Sequence, residues 1–132
     1  MALKITLKPH ERLIIGGAVI SNGNSRSSLI VENNIPILRE QDILSEKKAT
    51  SPCTRIYFAI QLMYVDEKNL AEHHALYWKL VTDVVNAAPS TMQLIEQINE
   101  LILAGKYYQA LKKAKKLIEY EQEVINSVRN PA

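Results

Sequence analysis

The period of the hydrophobic pattern changes partway along the chain, and that change decides the class of fold. Leu3, Ile5 and Leu7 alternate with Lys4, Thr6 and Lys8. A period of two puts apolar groups on one face of a strand and cations on the other. Gly16-Gly17 separates Arg12-Leu13-Ile14-Ile15 from Ala18-Val19-Ile20, as a tight hairpin turn with positive φ requires. Asn22-Gly23 and Asn33-Asn34 mark further turns around Ser28-Leu29-Ile30-Val31. Ile35 to Arg39 reads as a strand, on an edge because Pro36 lacks a donor. The first part of the chain is thus expected to be a meander of about five short strands or a small barrel-like sheet. So little surface is buried by such strands that they need the helices, or a second subunit, for support.

Farther along, the spacing becomes helical. Ser51-Pro52 is a helix start, with serine as N-cap and proline in the first turn. The segment Ile56 to Val65 is apolar on every face except at Gln61. Periodicity alone fits a buried strand there as well as a buried helix, and the start signal with Ala59, Gln61, Leu62 and Met63 selects helix. Asp66 is the expected cap of the next helix, with Leu70, Tyr77, Leu80, Val81 and Val84 on its apolar side. Pro89 ends it. Ser90-Thr91-Met92-Gln93 reads as a capping box, followed by a stripe of Met92, Ile95, Ile98 and Ile102. Gly105 is a natural helix end, and the short link there makes the last two helices antiparallel neighbours. Tyr107, Leu111, Ala114, Ile118 and Ile125 line one face of the last helix, whose end, from Asn126 to Ala132, is expected to fray. The reading is α+β: a β region over residues 1–50 and a helical region over 51–132, packed as one unit.

Composition narrows function mainly by exclusion. The 132 residues are 47% hydrophobic and 23% charged, with a net charge of +2, too mild to specify a polyanionic partner by itself. A lone Cys53 forms no intrachain disulfide. No apolar run reaches the ~20 residues of a membrane span, and Met1 to Thr6 is no secretory segment, so a cytoplasmic protein away from membranes is expected. Cys53 has neither histidine nor acid nearby in sequence, and reads as a small semi-buried thiol. Neighbouring helix positions diverge by about 100°, so His73 and His74 cannot chelate one metal from one face. No metal, phosphate-loop or dinucleotide motif is present. The expectation is a protein without enzymatic activity, metal or cofactor.

Two basic features remain. Lys106, Lys112, Lys113, Lys115 and Lys116 decorate the last helix, but Glu119 and Glu123 offset part of their charge, and a solvated face is the commoner meaning. In the first part stand Lys4, Lys8, Arg12, Arg26 and Arg39, followed by Arg55. Residues 1–55 carry a net +3 and residues 56–132 a net −1. A cationic sheet face beside polar turns can hold RNA phosphates and splayed loop bases, although ordinary surface lysines would look the same. Aromatic residues are few there, so extensive base stacking is not expected.

Several segments occur in order: Leu3-Lys4-Ile5-Thr6-Leu7-Lys8-Pro9, Gly17-Ala18-Val19-Ile20 with Asn22-Gly23, and Leu38-Arg39-Glu40-Gln41-Asp42-Ile43-Leu44. Arg55 to Tyr64 (R-I-Y-F-A-I-Q-L-M-Y), Tyr107-Tyr108-Gln109-Ala110-Leu111 and Leu117-Ile118-Glu119-Tyr120-Glu121 follow. From about residue 2 to 123 the chain resembles the FlbT family, flagellin regulators of flagellated alphaproteobacteria. One departure is Ile15-Gly16-Gly17, where the family often has Asn before Gly-Ala-Val. The resemblance implies binding to the 5′ untranslated region of flagellin mRNA, repression of its translation and promotion of its decay, alongside a small partner, FlaF. The first part also resembles CsrA-like RNA regulators in Glu11, Leu13-Ile14-Ile15-Gly16 and the closing Arg39-Glu40 with Ile43. That likeness implies an RNA surface at Lys8 and Arg39, although Thr6-Leu7-Lys8 stands where that family has consecutive arginines.

The expected RNA-binding residues are therefore Lys4, Lys8, Arg12, Arg39 and Arg55. The competing expectation is a protein-interaction module for flagellin or FlaF, docking through Tyr107, Lys112, Lys116 and Tyr120 on the last helix.

Overall fold

A computed structural model describes residues 2–129, with the side chain of Arg129 left aside. The chain divides into two compact units, Met1–Ile43 and Leu44–Ala132. The class is α+β: antiparallel strands in the first unit, packed helices in the second.

The first unit has five strands in two small sheets. Strand β1 (Leu3–Leu7) pairs with β4 (Ser27–Val31), and β2 (Arg12–Ile15) lies between β3 (Ala18–Ser21) and β5 (Ile37–Arg39). Only β2 and β3 pair as sequence neighbours in a hairpin; among the described residues the sheets do not close into a barrel. One side chain anchors the loop that leads into β4 beside the end of β1. Asn22 Nδ2 donates to the carbonyl of Lys8 (2.7 Å) and to that of Ser25 (3.0 Å), and its Oδ1 accepts from Gly23 N–H (2.9 Å) and Ser27 Oγ (2.6 Å). The loop is thereby fixed beside the end of β1, and the next strand runs back along it.

Period-two burial follows. Ile5, Leu7 and Leu13 are buried together, with Ile15, Leu29, Val31 and Ile37 packed against them. Lys4 projects from the opposite face, across from Ile30. The hairpin turn is Gly16-Gly17, with φ of 56° and 87°. A Cβ at Gly16 would sit 2.5 Å from Ile35 Cδ1, a side-chain tip that would have to shift; the positive φ is what favours glycine there. Gly16 N–H donates to the carbonyl of Pro36 (2.9 Å). Pro36 thus lies just ahead of edge strand β5.

The second unit contains α1 (Pro52–Val65), α2 (Leu70–Ala87), α3 (Met92–Leu103) and α4 (Tyr107–Arg129). Residues 52–65 are helical, and Ser51 forms a capping box with Thr54: Thr54 N–H donates to Ser51 Oγ (3.2 Å) and Ser51 N–H to Thr54 Oγ1 (2.9 Å). Glu121 of α4 completes the cap, accepting from Ser51 Oγ (2.6 Å) and Cys53 N–H (3.0 Å). Helix α1 is apolar almost all round because α2 and α4 both pack on it. Buried Gln61 is satisfied by Leu44, whose N–H it accepts (2.8 Å) and to whose carbonyl it donates (3.0 Å). The α3–α4 turn is a Schellman motif at Gly105 (φ 73°), with Gly105 N–H donating to Ile102 and Lys106 N–H to Leu101.

Two expected caps are not formed. A 3-10 turn, Glu67–Asn69, separates Asp66 from α2, so the Asp66 carboxylate accepts from the Asn69 side chain and faces His73 Nε2 (2.9 Å). Pro89 likewise starts a 3-10 turn that moves the beginning of α3 to Met92. Ser90 Oγ instead shares a hydrogen bond with Tyr120 OH (2.6 Å), and Thr91 Oγ1 donates to the carbonyl of Ala88 (2.7 Å). Helix α4 continues through Asn126 to Arg129; residues 130–132 of the expected frayed end lie outside the described residues. Among the described residues, no helix is long and apolar enough to cross a membrane.

Candidate nucleic-acid interface

The first unit concentrates its polar side chains where β1 turns into β2. Lys8-Pro9-His10-Glu11 is a tight turn, closed by Glu11 N–H donating to the carbonyl of Lys8 (3.1 Å). Proline at the second position and a positive φ at the third are the marks of a type II turn. The third residue here is His10, with φ of 62°. That conformation is ordinary for glycine and costs an L-residue about 1–2 kcal/mol. Its surroundings hold it there: His10 N–H donates to the carbonyl of Gly23 (2.8 Å), and Asn22 N–H to that of Glu11 (2.8 Å).

Glu11 organises the charges. Its Oε1 accepts from Lys8 N–H (2.9 Å), and its Oε2 pairs with the Arg39 guanidinium (3.1 Å). The same Arg39 nitrogen donates to the carbonyl of Thr6 (2.8 Å). Arg39 leaves β5 in one sheet and reaches β1 in the other, joining the two. Glu40 Oε1 accepts from Arg12 N–H (3.2 Å). Lys8, Pro9, His10, Glu11, Arg39, Glu40 and Gln41 together line an open polar hollow of about 440 Å³.

The Lys8 backbone N–H first, and the Arg39 guanidinium second, hold the Glu11 carboxyl below its ordinary value of 4.5. A depressed native value means that ionised Glu11 stabilises the fold above pH 4.5, and that this contribution disappears as pH falls through the lowered value. Glu11→Gln is therefore expected to melt earlier than the parent chain at pH 7, with the gap closing below pH 4.5. Thermal denaturation followed by circular dichroism at pH 7 and pH 3 checks this; a gap that stays constant would contradict it.

Of the expected RNA-binding residues, Lys8 and Arg39 share the hollow. Lys4 is exposed on the outer face of β1, and Arg12 is exposed at the start of β2. Arg55 is exposed on α1 and belongs to the other unit, as do Lys47 and Lys48. With those three and Glu46 in the other unit, residues 1–43 carry five Lys and Arg against four Asp and Glu, a net +1. Of these acids, Glu11 is engaged through the bonds above and Asp42 is buried; Glu40 accepts from Arg12 N–H but is exposed, as is Glu32. His10, Glu11 and Gln41 complete the hollow without having been expected. The available signal was proline at the second place of a turn whose third place holds neither glycine nor asparagine.

The four residues expected to bind a protein partner point in different directions. Tyr107 OH meets His74 Nε2 of α2 at 3.1 Å, Tyr120 OH meets Ser90, Lys112 Nζ lies 5.1 Å from the centre of the Tyr108 ring, and Lys116 is exposed. Tyr120 also lines an apolar groove of about 430 Å³ walled by Pro52, Cys53, Val84, Ala87, Val124 and Ile125. Burial first, and the Glu121 carboxylate second, push the Cys53 thiol up to about 12, so it is protonated at neutral pH and is not an activated nucleophile. Among the described residues, no group of three or more His, Cys, Asp or Glu is placed to hold a metal ion.

The family described as flagellar protein FlbT matches residues 3–125. A probable flagellum biosynthesis repressor protein FlbT 1 of Bradyrhizobium diazoefficiens is 48% identical over 125 residues, covering 94% of this chain and 85% of its own. A probable flagellum biosynthesis repressor protein FlbT of Rhodopseudomonas palustris is 36% identical over 126 residues, covering 96% of this chain and 99% of its own. The flagellum biosynthesis repressor protein FlbT of Caulobacter vibrioides is 35% identical over 130 residues, covering 97% and 92%. No solved structure matches the chain.

Proposed function

The chain belongs to the FlbT family, and from that membership we propose that it represses flagellum biosynthesis by binding the 5′ untranslated leader of flagellin mRNA. The observation that carries this reading is the exposure of Lys4, Lys8, Arg12 and Arg26 in a unit where Glu11 is paired with Arg39 and Asp42 is buried, which leaves Glu32 and Glu40 as the exposed acids. Cations that outnumber the exposed carboxylates of their unit and reach solvent can neutralise backbone phosphates. Occupation of the leader would hinder ribosome access and leave the message to nucleases, with no covalent chemistry by the protein. Arg39 contributes in part indirectly, by keeping the two sheets in register.

The test uses purified protein, leader RNA and no partner. Lys4→Glu/Lys8→Glu/Arg12→Glu is expected to weaken binding strongly. It should also flatten the plot of log affinity against log salt by about 2, at roughly 0.7 per lost contact to a single strand. Absence of a salt-sensitive complex with the parent chain overturns the reading.

A second reading has its own observation, the apolar groove between the start of α1, the end of α2 and α4. A flagellar protein, flagellin or FlaF, docking there would make any effect on mRNA indirect. Tight binding of such a partner together with no RNA complex would favour it.

A further inference from the structure

We propose that the hollow beside the Lys8–Glu11 turn takes one unstacked RNA base, and that His10 and Gln41 determine which base is accepted. This deepens the RNA reading above and rests on it.

The starting point is the left-handed backbone of His10 (φ 62°), at a turn position where glycine fits without strain. Strained residues of this kind concentrate at functional sites, where the surroundings hold them in place. Here the turn is over-determined by backbone bonds from His10 to Gly23 and from Glu11 to Lys8, and by the Asn22 side chain on Lys8. None of those bonds uses the imidazole, which is exposed at the hollow. The ring is carried on a fixed backbone and is available to a ligand.

The lining indicates the ligand class. Lys8 and Arg39 donate, Glu40 accepts, and the Gln41 amide and the His10 ring can each do both. Glu11 and Glu40 in the same wall disfavour a bare phosphate. A base edge presents donors and acceptors side by side, and proteins read single-stranded RNA by stacking an unstacked base and hydrogen-bonding its edge. A volume of about 440 Å³ lies in the range of small-ligand sites. Lys8 is left to contact the adjoining phosphate.

The experiment measures binding of the full chain to four RNA 12-mers: oligo(A), oligo(C), oligo(U) and alternating U and G. The parent chain should prefer one by about tenfold, the size of a single base contact. His10→Gly keeps a backbone that glycine adopts readily, so it should fold, and it should bind all four with nearly equal affinity. Gln41→Ala should narrow the preference, whereas Lys8→Glu should weaken all four by a similar factor. A parent chain that binds all four equally, or a His10→Gly chain that keeps the ranking, overturns the base-reading proposal while RNA binding stands. If no 12-mer and no leader RNA is bound, both fall.

Discussion

Tyr77→Ala is expected to destabilise the helical unit by about 4 kcal/mol, in the range for truncating a buried aromatic side chain. Tyr77 is fully buried on α2, its ring lies edge-on to Trp78 at 5.1 Å, and its hydroxyl donates to Asn99 Oδ1 of α3 at 2.6 Å. Removing it opens a cavity and leaves the Asn99 oxygen without this donor. The two effects can be separated. Tyr77→Phe keeps the ring and loses only the hydroxyl, so about 1–2 kcal/mol is expected. Tyr77→Phe with Asn99→Leu removes both polar partners and should recover part of that loss. Urea denaturation followed by far-ultraviolet circular dichroism measures all three; a Tyr77→Ala loss under about 1 kcal/mol would mean that the site collapses around the change.

In the first unit the corresponding position is Leu13. It is fully buried at the centre of β2, in the cluster with Ile5 and Leu7. Leu13→Ala is expected to cost about 3 kcal/mol. A unit of this size buries a smaller fraction of its surface than a larger domain does, so a loss of that size approaches its whole margin. The predicted signature is local: peptides from β1 to β5 lose hydrogen-exchange protection while those from α1 to α4 keep theirs. Val19 on β3 is 58% exposed, and Val19→Ala serves as the control, with an effect within about 0.5 kcal/mol. Equal loss of protection in both units would show that they unfold together.

Much of this architecture was legible from residue order because the signals were local. Gly16-Gly17, Ser51-Pro52 and Gly105 each fix a backbone conformation within a few residues, and each forms the turn, cap or stop expected of it. The pairing of β1 with β4 was not legible, since it joins strands distant in sequence through a ladder and an apolar cluster of Ile5, Leu7, Leu29 and Val31. The cap signals at Asp66 and Ser90 were present, but a 3-10 turn intervened in both places, a choice between nearly equal local geometries that neighbouring packing decides. On α4, Tyr107, Leu111 and Ala114 were expected to face inward, yet Ala110 and Leu117 are as deeply buried as Leu111. The inward arc is wider because α1 and α3 both pack on α4.

The candidate site was legible in its charges and not in its shape. Lys8 and Arg39 were identifiable as cations on strands, but their meeting depends on Glu11, which engages Arg39 and the Lys8 backbone together. A sequence of alternating residues does not reveal that an arginine from the last strand crosses to the first.

The cap of α1 bears on how the chain is made. Ser51 and Cys53 find their carboxylate at Glu121, 70 and 68 positions later. While the polypeptide is emerging from a ribosome, the first helix can coil, but its leading end lacks this carboxylate until Glu121 has been synthesised. The helical unit thus closes late, and a nascent chain halted before residue 121 would present the unfinished face of α1 to chaperones and proteases.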